Sequence, residues 1–153
     1  VGADAALELS EEEATLLAEE AQAAAGVLPE PRAARAAQLA QAARAATVPE
    51  ELLDVLADIL LASIQGGRAR RRYRAEGERL LTGLLLRTPR GRQLQAQLDA
   101  VNTALRSLAG QRLEGVRVGM RAPGSFTVTL TAERFAITLA IRPDGVSVDS
   151  VSA

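Results

Sequence analysis

The hydrophobic period of this chain changes once, near Gly110, and that change limits the fold more than any motif does. Before it, apolar residues recur every three or four positions; after it, every second one. The pattern predicts an α+β protein, with an N-terminal helical region of about five helices followed by a four-stranded antiparallel β-meander.

In the second part, Val116, Val118 and Met120 alternate with Arg117, Gly119 and Arg121. Pro123-Gly124 places Pro and Gly where a type II turn favours them. Phe126, Val128 and Leu130 then alternate with Thr127, Thr129 and Thr131, and Phe135, Ile137, Leu139 and Ile141 continue the pattern. Pro143-Asp144-Gly145 is a second hairpin signal, leading to Val146 and Val148. Strands are predicted at 116–121, 125–131, 134–142 and 146–151. Phe126, Val128, Phe135, Ile137 and Leu139 should be buried and the threonines outside. One apolar face needs a helical cover, and helices 4 and 5 are the nearest elements to supply it.

The first part carries clear helix punctuation. Ser10 precedes Glu11, Glu12 and Glu13, a capping box at the start of helix 1, and Gly26 ends that helix. Helix 2, about 32 to 46, is nearly all alanine, which allows close approach but buries little area. Helix 3 opens at Pro49, with Leu52, Leu53, Val55, Leu56, Ile59 and Leu60 on one arc and Glu50, Glu51, Asp54 and Asp58 on the other. Gly66-Gly67 breaks it. Helix 4 spans about 68 to 87, and Thr88-Pro89 starts helix 5. Helix 5 carries a heptad seam of Leu94, Leu98, Val101, Leu105 and Leu108. The expected organisation is an acidic, Ala-rich helical region over 1–66, then a helical hairpin plus meander over 67–153. Together they are short enough for one compact domain.

Several chemistries are excluded by composition. There is no His and no Cys, and every one of the 18 basic residues is Arg. A thiolate or imidazole zinc site, a Ser-His-Asp triad, a Cys nucleophile, a Schiff-base Lys and a P-loop are therefore ruled out. The Arg-only, Ala-rich usage suits a GC-rich bacterial genome. No cofactor is called for. The most apolar run, Leu52 to Ile64, is broken by Asp54 and Asp58 and is too short to span a bilayer. The opening VGADAALELS has neither a basic start nor an apolar stretch of leader type, so a cytoplasmic location is expected. The first residue is Val rather than Met, as in a chain trimmed from a longer one.

Charge is unevenly placed. Residues 1–60 hold twelve acids against Arg32, Arg35 and Arg44, whereas residues 68–92 hold nine Arg against Glu76 and Glu78. The densest group is Arg68, Arg70, Arg71, Arg72 and Arg74 around Tyr73. Guanidinium groups bind phosphate bidentately and a tyrosine stacks on bases, so one reading is nucleic-acid binding. The other reading is an internal or protein partner for the acids of helices 1 and 3. Glu50, Asp54 and Asp58, at i, i+4 and i+8, suggest a third chemistry, a Mg²⁺-dependent hydrolase; a solvated face is the plainer account.

The leading expectation is a non-catalytic protein–protein interaction or scaffold module, whose partner is another protein or a second copy of the chain. The expected homodimer would use the helix 5 seam and an open sheet edge. A nucleic-acid-binding protein acting through Arg68–Arg74 is the alternative, and no membrane partner is expected.

Overall fold

The computed structural model describes residues 6–153; the opening five residues, part of the stretch read above for a leader, lie outside them. The fold is α+β. Five helices precede a four-stranded antiparallel sheet, and a two-stranded ladder joins residues near the start of the chain to the link after the second helix. Two compact units are present, Val1–Arg92 and Gln93–Ala153.

In the first unit, β1 (Leu7–Glu8) pairs antiparallel with β2 (Thr47–Val48). Helix α1 (Glu11–Ala25) starts with the full capping box: Glu13 N–H donates to Ser10 Oγ at 3.2 Å, and Ser10 N–H donates to Glu13 Oε2 at 2.9 Å. Helix α2 (Arg32–Arg44) ends two residues before the sequence suggests. Ala46 takes a positive φ of 56° and Thr47 is already drawn into the β1–β2 ladder. Pro49 is followed by a 3₁₀ turn (Glu50–Leu52) before α3 (Leu53–Gln65), and Gly67, with φ 70°, makes the turn into α4 (Arg68–Leu86).

The core of this unit joins Leu17 and Ala21 of α1, Ala36, Leu39, Ala40 and Ala43 of α2, Leu56 and Leu60 of α3, and Leu81 and Leu84 of α4, all with no exposed surface. The alanines let α1 and α2 approach closely, while the leucines supply most of the burial, about 1.5–3 kcal/mol each. The acidic arc of α3, Glu50, Glu51, Asp54 and Asp58, lies outside this core except where its flanking leucines turn in.

Helix α4 is not straight. Arg74 has φ 61° and ψ −166°, a conformation that costs an L residue about 1–3 kcal/mol. The kink sets Tyr73 against Gly77, where an added Cβ would lie 2.2 Å from Tyr73 Cβ. Gly77 therefore leaves the space that Tyr73 occupies.

In the second unit, α5 (Pro89–Arg106, from Gln93 onward) packs on a sheet of β3 (Leu113–Ala122), β4 (Ser125–Ala132), β5 (Ala136–Arg142) and β6 (Gly145–Ser152). The strand order is β3-β4-β5-β6, each pair antiparallel, as a meander requires. The registers Val118↔Val128, Val128↔Leu139 and Leu139↔Val148 carry one apolar row across all four strands. Val101, Ala104, Leu105 and Leu108 cover Val128, Ile137, Leu139, Val146 and Val148. Four strands span about 19 Å at about 4.8 Å each, and a helix is about 10 Å wide, so one helix covers about half the face. The α4 leucines, expected to share that work, lie instead in the first unit's core.

Two details correct the alternation reading. Phe126, expected inside, is 39% exposed: it pairs with Met120 at the hairpin end of β4, beyond the α5 side chains. Phe135 lies in the link before β5 rather than in a strand, although it does pack with the α5–sheet cluster. The opposite face is also less open than its threonines suggest. Thr129 and Thr138 hydroxyls share a hydrogen bond at 3.1 Å, and Ala140 is buried.

Candidate functional site

The arginine segment sits on the first turns of α4, and the acids of α1 face it. Arg68 Nε donates to both carboxylate oxygens of Glu20 at 3.0 Å, and Glu20 is 2% exposed. Arg72 pairs with Glu19 at 3.1 Å and its guanidinium lies 5.6 Å from the centre of the Tyr73 ring. The single Tyr73 hydroxyl proton is shared between Glu20 Oε1 at 2.8 Å, the shorter contact, and Glu19 Oε2 at 3.1 Å. Arg70 pairs with Glu78 at 3.3 Å, and Arg71 donates to the Gly66 carbonyl at 3.1 Å, closing over the preceding turn. Arg74 carries no ion pair among the described residues.

Burial, reinforced by the hydrogen bonds to Glu20 and Glu19, pushes the Tyr73 phenol well above its ordinary range. It is held as a donor between two carboxylates, whose charges Arg68 and Arg72 offset. A tyrosine fixed in this way has its hydroxyl engaged by protein. Two of the five arginines are thus occupied by α1, one by its own helix and one by backbone.

Other acids in this unit are matched in the same manner. Glu13 meets Arg87 at 3.1 Å, and the Arg87 side chain also reaches the Glu8 carbonyl. Asp54 takes a two-pronged contact from Arg35, and Asp58 pairs with Arg90 at 3.0 Å. The carboxylates at i+4 and i+8 of the α3 triad therefore face arginines, and Glu50 is exposed. Nothing in the local sequence identifies these partners: Arg68 and Glu20 are 48 residues apart and Arg87 and Glu13 are 74 apart.

The helix 5 seam is split by its surroundings. Val101, Leu105 and Leu108 pack on the sheet, Leu94 is half-buried, and Leu98 is 44% exposed.

The largest group of exposed apolar side chains lies on the uncovered half of the sheet. Val116, Val118 and Met120 of β3 are 61–66% exposed, with Phe126 and Ile141 beside them at 39% and 41%. The pairings Met120↔Phe126 and Phe126↔Ile141 make this one contiguous strip. Strand β3 is also an edge of the sheet, ten residues long and without proline. Alternation gave the apolar character of these residues. It could not show which half of the face α5 leaves bare.

Comparison of the chain with protein-family models, curated proteins and solved structures found no match.

Proposed function

We propose that the protein is a non-catalytic protein-interaction module that works through the bare half of its sheet. The observation that carries this reading is the Val116–Val118–Met120 strip, continued by Phe126 and Ile141, on an unpaired edge. A contiguous apolar patch of this kind favours burial against another protein surface, and an open strand edge adds backbone donors and acceptors to the same contact. The arginine segment is less available for phosphate, because Glu19, Glu20 and Glu78 already neutralise three of its members.

The test is the double substitution Val118→Glu and Met120→Glu, made on exposed positions so that folding is retained. Wild type should associate with protein, seen as a mass above the monomer or as a bound chain in affinity capture. That association should resist nuclease and high salt and be lost in the double variant. Association that survives the substitutions, or that nuclease abolishes, overturns the reading, the second result in favour of nucleic acid.

A further inference from the structure

We infer that α4 is a two-state hinge, bent at Arg74 as described above and straight when its first turns, Arg68–Tyr73, release the Glu19 and Glu20 carboxylates of α1. The helix's own sequence gives no reason for a break. Arg68 to Glu78 contains no proline, and Arg, Ala and Glu are among the best helix formers. Yet Arg74 alone within α4 leaves the helical region, with a positive φ that an L residue adopts only under constraint. The bend is therefore held from outside the helix.

Its latches are on the page. Arg68 and Tyr73 grip Glu20, and Arg72 grips Glu19. Arg70 meets Glu78, eight residues on, at 3.3 Å. Side chains on a straight helix meet at three or four residues, and eight residues span about 12 Å of axis, so this pair closes across the bend. Gly77 is the other half of the hinge. In the bent form a Cβ there would fall 2.2 Å from Tyr73 Cβ. In a straight helix Cβ atoms at this spacing lie about 5–6 Å apart. Only glycine allows both forms.

Leu81 and Leu84 fix the later part of α4 in the core, and Leu17 and Ala21 fix α1, so straightening carries the 68–73 arm off α1. Of the arm's side chains only Ala69 is fully buried, with the Tyr73 ring half-buried at the edge of the core. Straightening exposes these two and parts the ion pairs, but it relieves Arg74 and rehydrates Glu20. Gly66 and Gly67, the latter at φ 70°, let the link from α3 follow. In the bent form α1 is thus a built-in anionic cover for a basic helix end. In the straight form Arg68, Arg70, Arg71, Arg72 and Arg74 are free together. The latches are ionic and partly exposed, so ionic strength releases them.

Tyr73 is the one tyrosine, so tyrosine labelled with carbon-13 in the ring gives the full-length protein a single NMR probe at the hinge. Wild type at low salt should show one Tyr73 signal. At about 1 M salt, where the Debye length is about 3 Å, a second signal at the position of solvated tyrosine should grow while helical circular dichroism holds. Gly77→Ala should give that second signal at every salt concentration and keep cooperative urea unfolding. Arg74→Gly relieves the strain and keeps the latches, so it should lower the straight-to-bent ratio about ten-fold. The chain has no cysteine, and Arg71 and Leu86 are exposed, so Arg71→Cys with Leu86→Cys accepts a nitroxide pair. These positions lie about 22 Å apart along a straight helix, and their separation should be longer in Gly77→Ala than in Arg74→Gly. Equal separations in the two variants overturn the hinge. So does a wild-type Tyr73 signal that salt leaves unchanged until the helical signal is lost. If Gly77→Ala does not fold, wild type and Arg74→Gly decide: identical Tyr73 populations in both at every salt concentration mean a fixed bend.

Discussion

The two units of this chain solve the same problem to different extents. The helical unit closes on itself: its leucines and alanines reach zero exposure, and the acids of α1 and α3 meet arginines from α2, α4 and the start of α5. The sheet unit closes only one half of its apolar face and leaves a strand edge beside the other. Dense charge is thus a poor guide to the contact surface here, since the most charged segment is the one the molecule has neutralised internally. The strand left open is β3, where Glu114, Arg117 and Arg121 are spread among apolar residues rather than clustered.

This contrast predicts that the same kind of truncation has opposite consequences in the two units. Leu60 has no exposed surface and sits among α1, α2 and α4 side chains, so Leu60→Ala should cost about 3 kcal/mol by lost transfer energy and a cavity. Val118→Ala, at 66% exposure, should change the folding stability of the isolated chain by no more than about 0.5 kcal/mol. Tyr73 is the one tyrosine and there is no Trp, so its emission during denaturant unfolding reports on the helical unit, and far-ultraviolet circular dichroism, which includes the strands, follows Val118→Ala in the sheet unit. A Val118→Ala loss as large as that of Leu60→Ala, measured on monomer, would mean that β3 is covered within the chain and that the contrast is false.

A second test probes the closure by charge. Arg68→Gln leaves Glu20, 2% exposed, with only the Tyr73 hydroxyl and a neutral amide. Breaking a buried pair in this way costs about 3–5 kcal/mol when both partners are buried. The Arg68 side chain is 44% exposed and water reaches it, so a loss of about 2 kcal/mol is expected. Urea unfolding monitored through Tyr73 measures it. A loss within error of zero would show that the pair is a surface contact and that the unit is held by its leucines alone.

These two tests also mark what the sequence makes legible. Local signals read well: the Ser10–Glu13 capping box, the Gly26 and Gly67 helix ends, the Pro123-Gly124 and Asp144-Gly145 turns, and the alternation that aligns Val118, Val128, Leu139 and Val148 across the sheet. They read well because each depends on residues a few positions apart. The Glu20–Arg68 pair, the β1–β2 ladder and the exposure of Phe126 depend on tertiary placement, which no local spacing encodes. The kink at Arg74 had one clue in the sequence. Gly77, four residues after Tyr73, is the position where a side chain would collide with that ring's Cβ.

Tyr73 sharpens the comparison through pH. Its phenol binds the proton more tightly in the folded unit than in the unfolded chain, because of burial and of Glu20 and Glu19. A raised pKa of this kind contributes stability that is complete below the unfolded value of about 10 and is lost as pH rises beyond it. Tyr73→Phe should therefore cost about 1 kcal/mol at neutral pH, from the lost charge-assisted hydrogen bonds, and should flatten the fall in stability above pH 10. Absorbance at 295 nm follows the one phenolate directly. Ionisation near pH 10 without unfolding would show that the ring is not enclosed as described.

The smallest effect is expected from the segment that looks most functional. Arg70, Arg71 and Arg72 are all exposed, and their contacts are a surface pair with Glu78, a bond to the Gly66 carbonyl and a surface pair with Glu19. Exposed pairs gain little because water screens them and two long side chains must be held still. The triple replacement by Gln should therefore lower the unfolding midpoint by less than Arg68→Gln alone, and added salt should narrow the difference further. The same variant tests the closed state of the helical unit against phosphate. With Glu19, Glu20 and Glu78 in place, random DNA and RNA should show no shift with wild type or variant, even at low salt, where counterion release favours binding most. A low-salt shift present in wild type and absent in the variant would mean that phosphates displace these carboxylates. The helical unit would then be the open surface of the molecule, and the contrast with the sheet would have to be reversed.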